Sequence, residues 1–109
     1  MVIDFNNMPE EVIPGFKGGE KEVIAKMYFD GTNRIMKARL APGASIGIHT
    51  HDTGSEIIFV TKGSGSVIFD GEKYPIKEGE VHYCPKGHSH SFVNDSDTET
   101  FISAVVPQQ

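Results

Sequence analysis

The stretch that decides the fold runs from residue 43 to 63, GASIGIHTHDTGSEIIFVTKG. Alternate residues of an extended strand point to one side, so His49 and His51 project together about 7 Å apart. Four residues, DTGS, then turn the chain, and Glu56 opens the next apolar run. Two imidazoles and a carboxylate brought to one place can converge on a single ion. Histidine suits that role because it offers an uncharged nitrogen near neutral pH.

Outward from this stretch the chain alternates in the same way. Short runs rich in Val, Ile, Phe and Tyr are separated by Gly, Pro, Asn and Asp, the pattern of an all-β sandwich or barrel. Strands are expected at 21–29, 34–40, 56–62, 66–69, 73–76, 80–84, 91–93 and 101–106, eight or nine in all, with no helix. Asp30-Gly31 and Asp70-Gly71 suit hairpin turns that need positive φ. Pro75 marks an edge strand, since proline donates nothing to a sheet ladder. The first twenty residues are less regular and read as a loop or short turn packed on the outside.

Bulk properties narrow the function. The 109 residues are expected to form one domain, 1–109, and 38% hydrophobic with 23% charged residues is ordinary for a globular chain. A formal charge of −5 argues against nucleic-acid or anionic-membrane partners, which require a basic face. No apolar run approaches the roughly 20 residues that span a bilayer, and the N-terminus lacks a signal-peptide pattern. A cytoplasmic location is expected, and Cys84, the single cysteine, can form no internal disulfide.

A second stretch, GEVHYCPKGHSHSFVN at 79–94, adds His82, His88 and His90. His90 follows a Pro-Gly turn and starts a β-like run, from which its side chain can enter a barrel. With His49, His51 and Glu56 it makes three nitrogens and one carboxylate, a donor set for first-row transition ions and a poor one for calcium or magnesium.

These residues resemble the cupin family. Its first motif is met by Gly43, His49, His51, Glu56 and Gly63, and its second by Gly79, Pro85, Gly87, His90 and Asn94. The resemblance implies a small antiparallel jelly-roll barrel, with one divalent transition metal (Mn, Fe, Ni or Zn) held inside by His49, His51, Glu56 and His90. It implies a dioxygenase, decarboxylase or isomerase acting on a small carboxylate, keto acid or sugar, or else a small-molecule binding protein without turnover. One such fold hosts many reactions. The motif glycines read as turn residues rather than a phosphate cradle.

Other residues carry narrower expectations. Ile58 and Phe92 stand two positions after Glu56 and His90, share their face, and are expected to wall the metal pocket. His82 and Tyr83 are the candidates for moving a proton, with His82 the one to face the lumen, while His88 is expected in an exposed turn. Cys84 reads as a core or pocket-wall residue rather than a nucleophile. Met36, Ala38 and Leu40 read as core, so Arg34, Lys37 and Arg39 are expected to be exposed; one turned inward would hold a substrate's negative charge. The apolar N-terminal residues Val2, Ile3, Phe5, Val12, Ile13 and Phe16, with sheet edges to cover, point to a homodimer.

Overall fold

The alternation in the sequence becomes ten strands in a computed structural model that describes residues 1–109. The strands are β1 Glu11–Pro14, β2 Glu22–Phe29, β3 Asn33–Leu40, β4 Ser45–Thr50 and β5 Glu56–Lys62. They continue as β6 Ser64–Phe69, β7 Glu72–Lys77, β8 Val81–Cys84, β9 Ser89–Val93 and β10 Thr100–Pro107. Two antiparallel sheets result, one of six strands in the order β1-β2-β3-β10-β5-β8 and one of four in the order β4-β9-β6-β7. The all-β jelly roll expected from the sequence is what the chain adopts.

Inward-facing alternate residues from both sheets make the core. Val23, Ala25, Met36, Ala38, Leu40, Ile58, Val60, Ile102 and Ala104 come from the six-stranded sheet. Ile46, Val67, Ile76 and Phe92 meet them from the other. Fully burying each Ile, Leu or Phe contributes roughly 1.5–3 kcal/mol, so the space between the sheets is where the fold is held.

Local chemistry accounts for the connections. Asp70 and Gly71 join β6 to β7 with φ of 49° and 86°, the pair of positive values that a two-residue hairpin turn needs. Asp30 instead caps a wider loop, its Oδ1 accepting from the N–H groups of Thr32 and Asn33 at 2.9 and 2.7 Å. Pro75 lies on β7, an edge strand as expected. Asn94, the last residue of the second motif, is fully buried; its Nδ2 donates to Leu40 O and Thr98 O, both at 2.8 Å. Its Oδ1 accepts from Ser96. This amide staples the loop before β10 to the end of β3, a structural duty.

Two features depart from the sequence expectation. The N-terminal region contains a paired strand, β1, whose residues Glu11–Pro14 lie against Ala25–Glu22 of β2. A 3₁₀ turn at Phe16–Gly18 follows, and residues 17–20 form a strap against β4. Ser45 N donates to Glu20 O at 3.0 Å and Glu20 N to Ser45 Oγ at 2.8 Å. Gly47 permits the contact, because a Cβ there would lie 2.0 Å from the backbone oxygen of Lys17.

The second departure is in β4 itself. Ile46 pairs with Phe92 and His49 with His90, so β4 spends three residues where β9 spends two. This bulge reverses the parity of the strand. Ile46 and His49 both turn inward despite opposite parity, and Ile48 is left exposed.

Candidate metal centre

Three strands and one strand end deliver the four expected donors to one point. His49 comes from β4 after the bulge, and His51 from just beyond it, where its N–H donates to His88 O at 3.0 Å. Glu56 opens β5 and His90 lies on β9, so both sheets contribute. The three imidazole rings stand 4.7 Å apart, centroid to centroid in every pair, with planes inclined by 64° to 68° like the blades of a propeller.

The donor separations test whether an ion fits. His51 Nε2 lies 3.0 Å from His49 Nε2, 2.8 Å from His90 Nε2 and 3.0 Å from Glu56 Oε1. His90 Nε2 lies 3.2 Å from His49 Nε2 and 2.9 Å from Glu56 Oε1, while His49 Nε2 and Glu56 Oε1 are 3.7 Å apart. With metal–ligand bonds of roughly 2.1 Å, adjacent octahedral donors stand roughly 3 Å apart and opposed ones roughly 4.2 Å. Four ligands that leave two neighbouring positions open have five adjacent pairs and one opposed pair. The observed set, five short separations and one long, approaches that pattern. The cluster can hold a first-row divalent ion.

Protonation agrees with that fit. His49 Nδ1 lies 2.8 Å from Gly47 O, an atom that only accepts, so Nδ1 carries the proton that donates there and Nε2 is the nitrogen left to bind an ion. Burial pushes the Glu56 carboxyl up, but the imidazoles of His49, His51 and His90 outweigh it and hold the group well below the usual carboxylate range. Glu56 is therefore ionised at 5% exposure.

A cavity of about 400 Å³ opens onto three of these donors, His49, His51 and Glu56. Phe16, Met27, Met36, Ile46 and Val106 supply its apolar wall, and Lys17, Arg34 and Asp52 its charges. Arg34 corrects the expectation that the β3 cations are exposed. It stands two residues before Met36 and shares its face, so strand alternation carries it inward. Its guanidinium stacks over the Phe29 ring at 4.5 Å, and Nη1 lies 3.6 Å from Met27 Sδ. Arg39 pairs with Glu10 and Glu99, whereas Arg34 meets no carboxylate of the chain. Lys37 is exposed as expected.

The remaining expectations divide. Ile58 and Phe92 do face inward, each 1% exposed, but they sit among the core residues and do not line the cavity over the donors. Sharing a face does not fix depth along the barrel. Tyr83 is corrected: it is 55% exposed on the outer side of β8, too far round the strand to move a proton at the centre. His88 lies in the turn before β9, pairs with Asp70 at 2.5 Å and stacks on Phe69. His82, by contrast, is buried, with its Nε2 3.0 Å from His90 Nδ1. Burial and the neighbouring His90 push it down to about 4, so it is neutral at ordinary pH. Cys84 is fully buried beside these groups, and burial pushes its thiol up to about 11.

Known proteins resemble this chain in sequence and in fold. A family model described as a cupin domain matches residues 36–106. An oxalate-binding protein of Thermotoga maritima is 31% identical over 112 residues, covering 97% of this chain and 93% of the relative. The crystal structure of a predicted oxalate decarboxylase from Thermotoga maritima matches with a TM-score of 0.93 at 30% identity, over 100% of both chains. The structure of KdgF from Halomonas sp. matches with a TM-score of 0.78 at 19% identity, over 100% of this chain and 94% of that one, a likeness of fold alone.

Proposed function

The chain belongs to the cupin family, and on that premise we propose that it is a metal-dependent enzyme acting on a small carboxylic acid. His49, His51, Glu56 and His90 hold one divalent ion of Mn, Fe, Ni or Zn, and the cavity beside them takes the acid. The observation that carries this reading is that the unpaired guanidinium of Arg34 lines the same cavity as His49, His51 and Glu56 of the three-His, one-Glu cluster. Such an ion supplies Lewis acidity at substrate oxygens and, when redox-active, access to dioxygen.

The chain's own residues supply the rest. Glu56, ionised and buried, offsets part of the ion's charge and leaves the cavity able to accept an anion. Arg34 provides two parallel donors to a carboxylate, and its stacking on Phe29 holds the plane of that fork. Lys17 adds a second positive charge at the cavity wall. Met27, Met36, Ile46 and Val106 keep bulk water from the bound acid, which strengthens each charge contact. The name of the Thermotoga maritima oxalate-binding relative supports an acid of oxalate size. That same name, which speaks of binding, favours the alternative of a non-catalytic metal-bearing binding protein.

One experiment separates the two. Protein loaded in turn with Mn, Fe, Ni and Zn is offered oxalate, other small carboxylates, keto acids and sugars, while carbon dioxide release, oxygen uptake and isomer formation are followed. Turnover of an acid by at least one metal form supports the enzyme. Binding of oxalate with no turnover in any form moves the chain to the binding-protein reading. Arg34→Gln should weaken oxalate roughly tenfold or more, since a charge-assisted hydrogen bond is worth about 1.5–3 kcal/mol, and leave metal content unchanged.

The proposal includes a homodimer. Phe59 and Val81 are cross-strand partners on the outer face of the six-stranded sheet, exposed at 43% and 51% with Tyr83 nearby at 55%, an apolar row suited to a partner. Light scattering at micromolar concentration should give twice the chain mass, and a monomer mass rejects it.

A further inference from the structure

The contact between His82 and His90 crosses the interior from one sheet to the other. His82 lies on β8, opposite Ile58 of β5 in the six-stranded sheet, and His90 lies on β9 in the four-stranded sheet. Their rings are 5.2 Å apart and inclined by 30°, with His82 Nε2 at 3.0 Å from His90 Nδ1. His82 stands behind His90 as seen from the metal cavity, which it does not line. Its other side meets the edge of the Phe69 ring, centroids 5.7 Å apart, and a separate surface recess bounded by Val67, Tyr74 and Glu80.

Two imidazoles in such contact share one hydrogen, and the centre decides whose it is. If His90 gives a bare Nε2 to an ion, its proton must sit on Nδ1, and Nδ1–H can then only donate. The atom it meets is His82 Nε2, which must accept. His82 then carries its own proton on Nδ1.

We propose that His82 is a positioning residue for the metal centre, its Nε2 accepting the Nδ1–H of His90 and so fixing both the tautomer and the ring plane of that ligand. This rests on the metal reading given above. A ligand imidazole whose far N–H is held by an acceptor is a stronger and better oriented donor, and losing such a partner weakens metal binding roughly 10–100-fold. Gly47 O performs the same duty for His49. The centre thus has a backbone acceptor behind one ligand and a side-chain acceptor behind another, and only the second is open to substitution.

The test uses the whole chain loaded with Zn²⁺, which is diamagnetic, and reads histidine ring nitrogens by proton–nitrogen correlation NMR. The expected spectrum shows metal-shifted Nε2 at His49, His51 and His90, with His82 in the Nδ1–H tautomer. If the three Nε2 signals shift while His82 holds its proton on Nε2, the hydrogen bond runs the wrong way and the proposal is overturned with the metal reading intact. If no Nε2 responds to Zn²⁺, the metal reading falls and takes the proposal with it.

A parallel measurement compares zinc affinity by chelator competition. His82→Phe, which fills the space without an acceptor, should bind roughly 10–100-fold more weakly. His82→Gln, whose Oε1 can occupy the place of Nε2, should recover most of that loss. Equal weakening in both variants, or none in either, contradicts the proposal. Should His82→Phe fail to fold, the His82→Gln affinity and the wild-type tautomer still decide it.

Discussion

The four donors rest on two different kinds of support. His90 stands on β9, a strand paired on both sides, and is 1% exposed with His82 behind it. His49 and His51 stand at the end of β4, an edge strand, with side chains 18% and 11% exposed. They are held by a bulge, by two backbone carbonyls, Gly47 O and His88 O, and by the N-terminal strap. The first side is fixed by core packing and the second by local backbone contacts, so a ligand reaches the centre past the second.

Substitution should separate the two sides most strongly. His90→Ala should abolish metal binding and also destabilise the metal-free fold by roughly 2–4 kcal/mol, because it opens a buried void and strands His82 Nε2 without a partner. His49→Ala should abolish binding too, yet cost the metal-free fold less than about 1.5 kcal/mol, because its site is open to water. Urea titrations of both variants in the presence of chelator make the comparison. Equal costs would mean that the supports do not differ.

Metal itself should act across both sides. At 100 times its dissociation constant, a bound ion stabilises the fold by about 2.7 kcal/mol. For a chain near 100 residues that corresponds to a melting temperature roughly 10–20 °C higher, reversed by chelator. A melting temperature that ignores both metal and chelator would remove the link between site and fold.

Smaller effects sharpen the edge-strand side. Gly47→Ala places a Cβ 2.0 Å from Lys17 O, which forces the strap off β4 and should cost about 1–3 kcal/mol and weaken metal binding through His49. Gly79→Ala is the control, since nothing lies within 4 Å of its Cβ and only its φ of 87° opposes the change, at about 1 kcal/mol with metal affinity unaltered. The smallest effect is on reactivity in the packed region. Cys84 is buried and its thiol is pushed up to about 11, so iodoacetamide at pH 8 should label it slowly until urea unfolds the chain. Rapid labelling of the native protein would show that β8 opens as readily as the strap.

The same division explains what the sequence made legible. His49, His51 and Glu56 could be found because they stand at short spacings within reach of a strand and a turn, while His90, 34 residues beyond Glu56, joined them through the second motif, and the all-β class followed from alternation and turn chemistry. The contact of His82 with His90 could not, because it joins two sheets and depends on how far each strand slides along the barrel. Depth also separates Ile58 and Phe92 from the cavity they were expected to line. The bulge in β4 breaks the alternation on which parity arguments rest, and Gly47 inside a strand was its one signal. Arg34 was within reach, since it shares parity with Met36 and its inward turn needs nothing beyond alternation. The strap was hidden because its hold on β4 is a close backbone approach over Gly47 and two hydrogen bonds between Glu20 and Ser45, which leave no apolar pattern to read.

The central claim is that His49, His51, Glu56 and His90 together hold one transition ion. Its most direct test is elemental analysis of untagged protein, wild type beside His90→Ala, after reconstitution and removal of free metal. One equivalent of a first-row divalent ion per wild-type chain, and none in His90→Ala, is the predicted result. Equal metal content in the two proteins, or a wild-type chain that retains none of the ions offered, would contradict it.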